Sequence, residues 1–241
     1  MFSRVNVYFN EKNFQFVELT AFHYYLCRQL KGGGMEICMK EFFESIEPKI
    51  YKAIKKDVKY ILKKIGNEKI YSIALVTDED CVSLYLAANT SEFLRKKDLD
   101  ILKFMKQYLS EDEIRGVENG SYSLTRWIPA EWGYSDGKNS GLTKISRLLF
   151  EQGVYLNPTE YEMNKHLFFE TITSVLKRLI KENVFGSYTN DITFFITLSD
   201  GDGIYEIENY SAQQLNSAKV YEKFLHRHKK NRMTTDSPSK N

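Results

Sequence analysis

IYSIALVTDEDCVSLYLAAN, residues 70–89, decides how this chain folds. Two β-rich runs, 70–77 and 81–89, flank the acidic triplet Asp78-Glu79-Asp80, the pattern of a hairpin. Nearly every position in both runs is apolar, so both faces of the resulting sheet need cover. The preceding segment supplies one cover. In KEFFESIEPKIYKAIKKDVKYILKKI (40–65), Phe42, Phe43, Ile46, Ile50, Ile54, Val58, Ile61, Leu62 and Ile65 recur mostly three and four residues apart. That spacing makes one apolar stripe of a long helix. Pro48 either marks the proper start of this helix near Glu47 or kinks it. Lysines fill its remaining faces, as on a solvated surface.

Downstream, Asn89 reads as an N-cap with Glu92 completing a capping box, opening a helix that runs toward Leu102. Ser110 with Glu113 forms a second such pair. SYSLTRWI (121–128) reads as a third strand, stopped by Pro129, which has no amide proton for a ladder. LTKISRLLFEQ is helical. A longer helix capped by Thr159 and Glu162 buries Leu167, Phe168, Ile172, Val175, Leu176 and Leu179. DITFFITLSD (191–200) is the fourth strand, DGDG a turn, and SAQQLNSAKVYEKFL a final helix with Ser211 near its start. Strands and helices do not alternate regularly. The expected fold is α+β, a mainly antiparallel sheet of about four to six strands covered by helices. Residues 1–38 read as an N-terminal elaboration closing on a glycine triplet, 39–226 as a single α+β domain, and 227–241 as a disordered basic and polar tail.

A formal charge of +2 over 241 residues lacks the broad electrostatic footprint of a dedicated nucleic-acid binder. No apolar run is long enough to span a bilayer, which argues against a membrane protein. MFSRVNVYFNEKNF has no apolar signal core, so the expected location is the cytoplasm. Cys27, Cys38 and Cys81 have no metal-ligand spacing and read as buried thiols of a reducing compartment.

Motif by motif, chemistry thins out. Asp200 starts an oxygen-rich run through Asp202, Glu206 and Glu208, but its twelfth position is Ser211 rather than Glu, so an EF-hand fails. Zinc spacing, a nucleophile elbow and a phosphate loop are all missing. No cofactor is expected. Carboxylates remain: the triplet Asp78, Glu79 and Asp80, and Glu131. The latter sits in RWIPAEWGY (126–134), which holds both tryptophans of the chain. An acid beside indoles has its pKa raised by desolvation, as general acids do. Alternatively, Glu131 caps a turn or pairs with Arg126. The whole segment reads either as a packed corner, with a helical turn at AEW returning Trp132 to the sheet, or as an exposed hot spot of Arg126, Trp127 and Trp132.

In order, IYSIALVTDED, LAANTSE and YSLTRWIPAEWGY, followed by ITLSDGDG and YSAQQLN, resemble a bacterial family of uncharacterised proteins, the domain of unknown function 4303. The resemblance spans roughly residues 40–225, its tryptophan block being the most specific part. It implies no reaction. Members are similar in size and setting to small cytoplasmic proteins found beside bacterial polymorphic toxins, where unrelated α+β families act as immunity proteins. The expectation is therefore a cytoplasmic interaction protein that neutralises a toxin or effector by occluding it. Asp78–Asp80, Asp136–Asn139 and Asp200–Asp202 are its candidate contact loops. The alternative is a hydrolase-type enzyme with its carboxylate and aromatic site near Glu131.

Overall fold

The computed structural model describes residues 39–137, 140–153, 161–186 and 191–227. The expectations for residues 1–38, for the capping role of Thr159 and for positions 228–241 lie outside the described residues. The elements are α1 (Met39–Ile65), β1 (Ile70–Thr77), β2 (Tyr85–Thr90), α2 (Ser91–Met105), α3 (Glu111–Asn119), β3 (Tyr134–Ser135), α4 (Gly141–Gln152), α5 (Tyr161–Lys181), β4 (Thr193–Leu198), α6 (Ile204–Leu215) and α7 (Ala218–Leu225). Short 3-10 turns follow α2 and precede β3. The class is α+β.

The sheet runs β3-β2-β1-β4, with β1 between β2 and β4. β1 and β2 pair antiparallel, as the hairpin pattern predicts. β4, however, lies parallel to β1, with Ile73 opposite Phe194 and Leu75 opposite Ile196. The sheet is thus mixed rather than mainly antiparallel. The reason is connectivity: β4 follows two helices, and a long crossover returns a strand in parallel. Ser72 Oγ strengthens the pair by donating to the Thr193 carbonyl at 2.9 Å.

β1 is buried along almost its whole length. On one face Ile73, Leu75, Leu86, Ala88, Phe194 and Ile196 pack under α1, α4 and α5 in the larger core. Pro48 lies within a continuous α1. On the other face Ala74, Val76, Ala87 and Phe195 meet Trp132, Ala212 and Phe224. Small sheet residues there oppose large rings, which keeps that layer close-packed.

The expected third strand is the main local correction. Leu124 and Thr125 donate their amides to Asp98 Oδ1 of α2 at 3.2 and 3.1 Å, and the Thr125 hydroxyl donates to the same oxygen at 2.9 Å. A buried carboxylate thus takes the groups a ladder would use, and residues 121–128 form turns. The edge strand comes later, at Tyr134–Ser135, against Ala88 and Ala87. The capping residue of α2 is also shifted by one: Thr90 Oγ1 accepts from the Phe93 amide at 3.1 Å, whereas Glu92 accepts from the Lys69 amide. At α3, Ser110 and Glu113 form the expected capping box. The single final helix is two, broken at Asn216–Ser217, and Ser211 lies inside α6.

Polar side chains finish the sheet edges. Along the outer edge of β4, Asn216 accepts from the Phe194 amide at 2.8 Å and donates to its carbonyl at 2.6 Å. Ser211 Oγ does the same for Ile196 at 2.8 and 3.2 Å. An edge occupied this way no longer templates another strand. Asp57, buried on α1, accepts from the Gly141 and Leu142 amides at 2.9 and 3.0 Å, so α1 caps α4 from the side. A Cβ on Gly141 would come within 2.8 Å of the Ala53 backbone and side chain, so only glycine permits this approach. Asp57→Ala removes an acceptor for two helix amides and should lower stability by about 2 kcal/mol in denaturant titration, without changing the far-ultraviolet helix signal.

Candidate functional site

The tryptophan segment forms a corner built on Tyr71. The β1–β2 register slips between Ile70 and Ser72, so Tyr71 sits in a bulge, a device that re-aims a side chain. Its hydroxyl donates to the Arg126 carbonyl at 2.9 Å and accepts from Asn89 Nδ2 at 3.0 Å. Burial pushes its phenol well above the usual tyrosine range, against the opposing pull of Asn89 and Arg126. Asn89, expected as a helix cap, is instead buried in this network, and its Oδ1 accepts from the Thr90 amide at 3.1 Å.

Both indoles pack edge-on against Tyr71, each with ring centroids 6.2 Å away. Both also meet Phe195 of β4, Trp132 at 5.8 Å and Trp127 at 6.3 Å. Pro129–Glu131 forms the single helical turn that returns Trp132 to the sheet, where it is only 9 % exposed. Its Nε1–H donates to the Arg126 carbonyl at 3.2 Å, not to Glu131. Gly133 follows because a Cβ there would fall 2.5 Å from the Phe93 ring. Arg126 is exposed, its guanidinium 4.7 Å above Tyr71 and 5.6 Å from Trp127, a cation–π lid over the corner. Ile128 beside it is 47 % exposed.

Glu131 pairs with neither Arg126 nor an indole. Its carboxylate meets Lys97 Nζ at 2.8 Å, and both side chains are substantially exposed. Such a pair contributes about 0–1 kcal/mol.

The acidic triplet lies elsewhere. Tyr71 and Thr77 are six residues apart on β1, about 20 Å at a strand's rise. Asp78 is half-buried and its Oδ1 accepts from the Val82 amide at 2.8 Å, which shapes the turn. Glu79 and Asp80 are exposed. Because β1 and β4 run parallel, the turn after β4 arrives beside this one. The Ser199 amide donates to the Thr77 carbonyl at 2.7 Å, and the Glu79 amide to Asp200 Oδ1 at 3.4 Å. Asp200 and Asp202 are exposed as well. The candidate residues therefore form two groups. One is the corner of Arg126, Trp127, Glu131 and Trp132; the other joins Asp78, Glu79 and Asp80 to the turn at Asp200.

Of the third candidate loop, Asp136 is held to the sheet, exchanging hydrogen bonds with Leu86 at 3.1 Å, and burial raises its carboxyl pKa. Lys138 and Asn139 lie outside the described residues. The run toward Glu208 is not a chelating loop, since Glu206 and Glu208 are on α6. Among the described residues no group of three His, Cys, Asp or Glu side chains is placed to hold a metal ion. Cys81, at positive φ and fully buried, has its thiol pushed up to about 12, mainly by burial. Sequence reasoning missed Tyr71, Asn89, Phe195 and Phe224 as parts of the corner. Their contacts with the tryptophans span as many as 97 residues, from Trp127 to Phe224, and no local pattern records them.

The fold and this surface define a helix-covered mixed-sheet domain whose aromatic corner and acidic end are separate features. Residues 50–217 match the family described as domain of unknown function, DUF4303, and the chain belongs to that family. No curated protein and no solved structure matches the chain.

Two outcomes test these assignments. Trp132→Ala should cost about 3–5 kcal/mol, whereas Arg126→Ala and Ile128→Ala should each stay within about 1 kcal/mol, by denaturant titration. In the folded protein Cys81 should resist alkylation near neutral pH and react once denaturant is added, as read by peptide mass spectrometry.

Proposed function

We propose that this protein is a cytoplasmic interaction protein of the immunity type, one that neutralises a toxin or other effector protein by covering it. One observation carries the reading: four exposed carboxylates, Glu79, Asp80, Asp200 and Asp202, stand in two adjoining turns at the same end of the sheet. Both turns are tied to buried parallel strands, so their backbone is fixed before any partner arrives. A rigid anionic surface speeds encounter with a basic partner, and a toxin that handles nucleic acid has such a surface. Inhibition by occlusion needs complementary area and no catalytic residue.

The hydrolase reading finds less support. It needs Glu131, an indole and an acidic turn in one pocket. Glu131 instead meets Lys97 in a half-exposed pair, and both indoles pack on Tyr71 and Phe195. The acidic turns lie beyond the far end of β1.

Tagged protein should retain one stoichiometric partner from its host lysate through a stringent salt wash. With that partner in hand, Asp80→Lys combined with Asp202→Lys, which spares the Asp200 link between the turns, should slow association roughly 10-fold at low salt and less at high salt, with thermal stability unchanged. An unaltered association rate would remove the acidic end from the interface, and an empty pull-down would count against the binding reading as a whole.

A further inference from the structure

Two buried side chains, Phe224 and Arg227, attach α7 to the domain, with the partly buried Tyr221 packed beside them. Phe224 is its buried residue, 5.1 Å from Trp127 and 4.9 Å from Phe195 between ring centroids. The other positions of α7 are exposed or half-exposed. One turn later comes Arg227, assigned from sequence to the polar tail. Its side chain has no solvent exposure. Nη2 donates to Glu208 Oε2 at 2.7 Å, and Nη1 to Asn209 Oδ1 at 2.7 Å and to the Phe224 carbonyl at 3.1 Å. The guanidinium lies 4.0 Å from the Phe224 ring and 4.4 Å from that of Tyr205. Glu208 Oε1 accepts from the Thr197 hydroxyl at 2.7 Å. The buried Nε of Arg227 makes no hydrogen bond.

An attachment of this kind locates an element more than it stabilises it. Burying a charged pair removes hydration from both ions, and their mutual attraction only about offsets that loss. Opening rehydrates both ions together, whereas deleting one strands the other. Phe224, with the partly buried Tyr221 beside it, then remains as the apolar anchor, and an eight-residue helix does not persist alone in water. The joint is also defined. Asn216 is clamped to β4 by its side chain, and Ser217, in extended backbone, separates that clamp from the first turn of α7. The family match ends at residue 217 too, immediately before α7.

We propose that α7 with Arg227 is a strap that opens over the tryptophan corner as its own unit, hinged at Ser217, while the sheet stays folded. Opening uncovers Trp127 and Phe195 beside the Glu208 carboxylate. That surface suits a helix presenting an aromatic residue and a guanidinium one turn apart, the pair that α7 itself brings. The strap stands independently of the acidic end and its partner.

Hydrogen exchange by mass spectrometry on the full chain tests it, comparing wild type with Arg227→Met, which keeps the aliphatic length and removes the charge, and with Glu208→Gln. In wild type, residues 218–227 should exchange through an opening that leaves β1 and α1 protected. In Arg227→Met the same segment should exchange roughly 10-fold faster or more, with tryptophan emission more accessible to acrylamide and β1 unchanged. Glu208→Gln should act on the same segment. The proposal is overturned if 218–227 is as protected as β1 in wild type, or if both variants lose protection in 218–227 and β1 in step. If Arg227→Met fails to fold, the wild-type profile decides alone, because a strap must exchange ahead of the core.

Discussion

β1 has no solvent-facing side, and the rest of the structure follows from that constraint. From Tyr71 to Thr77 every residue is buried, so the strand needs a strand on each edge and a layer on each face. β2 and β4 take the edges. The α1, α4 and α5 layer covers one face with a broad aliphatic and phenylalanine core. The opposite face has no comparable helical layer. It is closed by the tryptophan corner, Ala212 of α6 and the end of α7, the rings resting on alanines and Phe195. Large aromatic side chains contribute much buried area from few residues, which lets a loop do the work of a helix.

Buried polar groups join these layers. Asp57 holds the first turn of α4, Asp98 the loop before the corner, and Asn89 the underside of Tyr71. Ser211 and Asn216 close the edge of β4. Each of these takes backbone groups, or a buried hydroxyl, that would otherwise be orphaned in the interior, where an unpaired polar group costs far more than a bond gains. Such residues fix how the elements meet. Glu208 with Arg227 differs, since it joins two full charges in a site that burial makes costly; burial raises the Glu208 pKa, and Thr197 and Arg227 act against that rise.

Legibility followed the range of the interaction. The hairpin, the long first helix, the Ser110–Glu113 box and the helical turn at Pro129 depend on neighbours within a few residues, and the sequence pattern shows them. SYSLTRWI misleads because its alternation suits a strand, while Asp98, some 26 residues earlier, claims its amides. Arg227 misleads in the same way. It stands among tail-like residues, and only the placement of Glu208 reveals its partner. The candidate site split for this reason as well: the acidic triplet and Glu131 carry similar chemistry, yet β1 separates them.

By itself the sequence determined the class, α+β, the central apolar strand and the family, because these rest on local periodicity and on blocks of residues in a set order. Tertiary structure alone decided that β4 runs parallel to β1, which brings two acidic turns together. It also decided that the indoles pack on Tyr71 and Phe195 beneath α7. Direction of pairing and the choice of a distant partner are settled by the geometry of closure across long loops, and no run of neighbouring residues encodes that geometry.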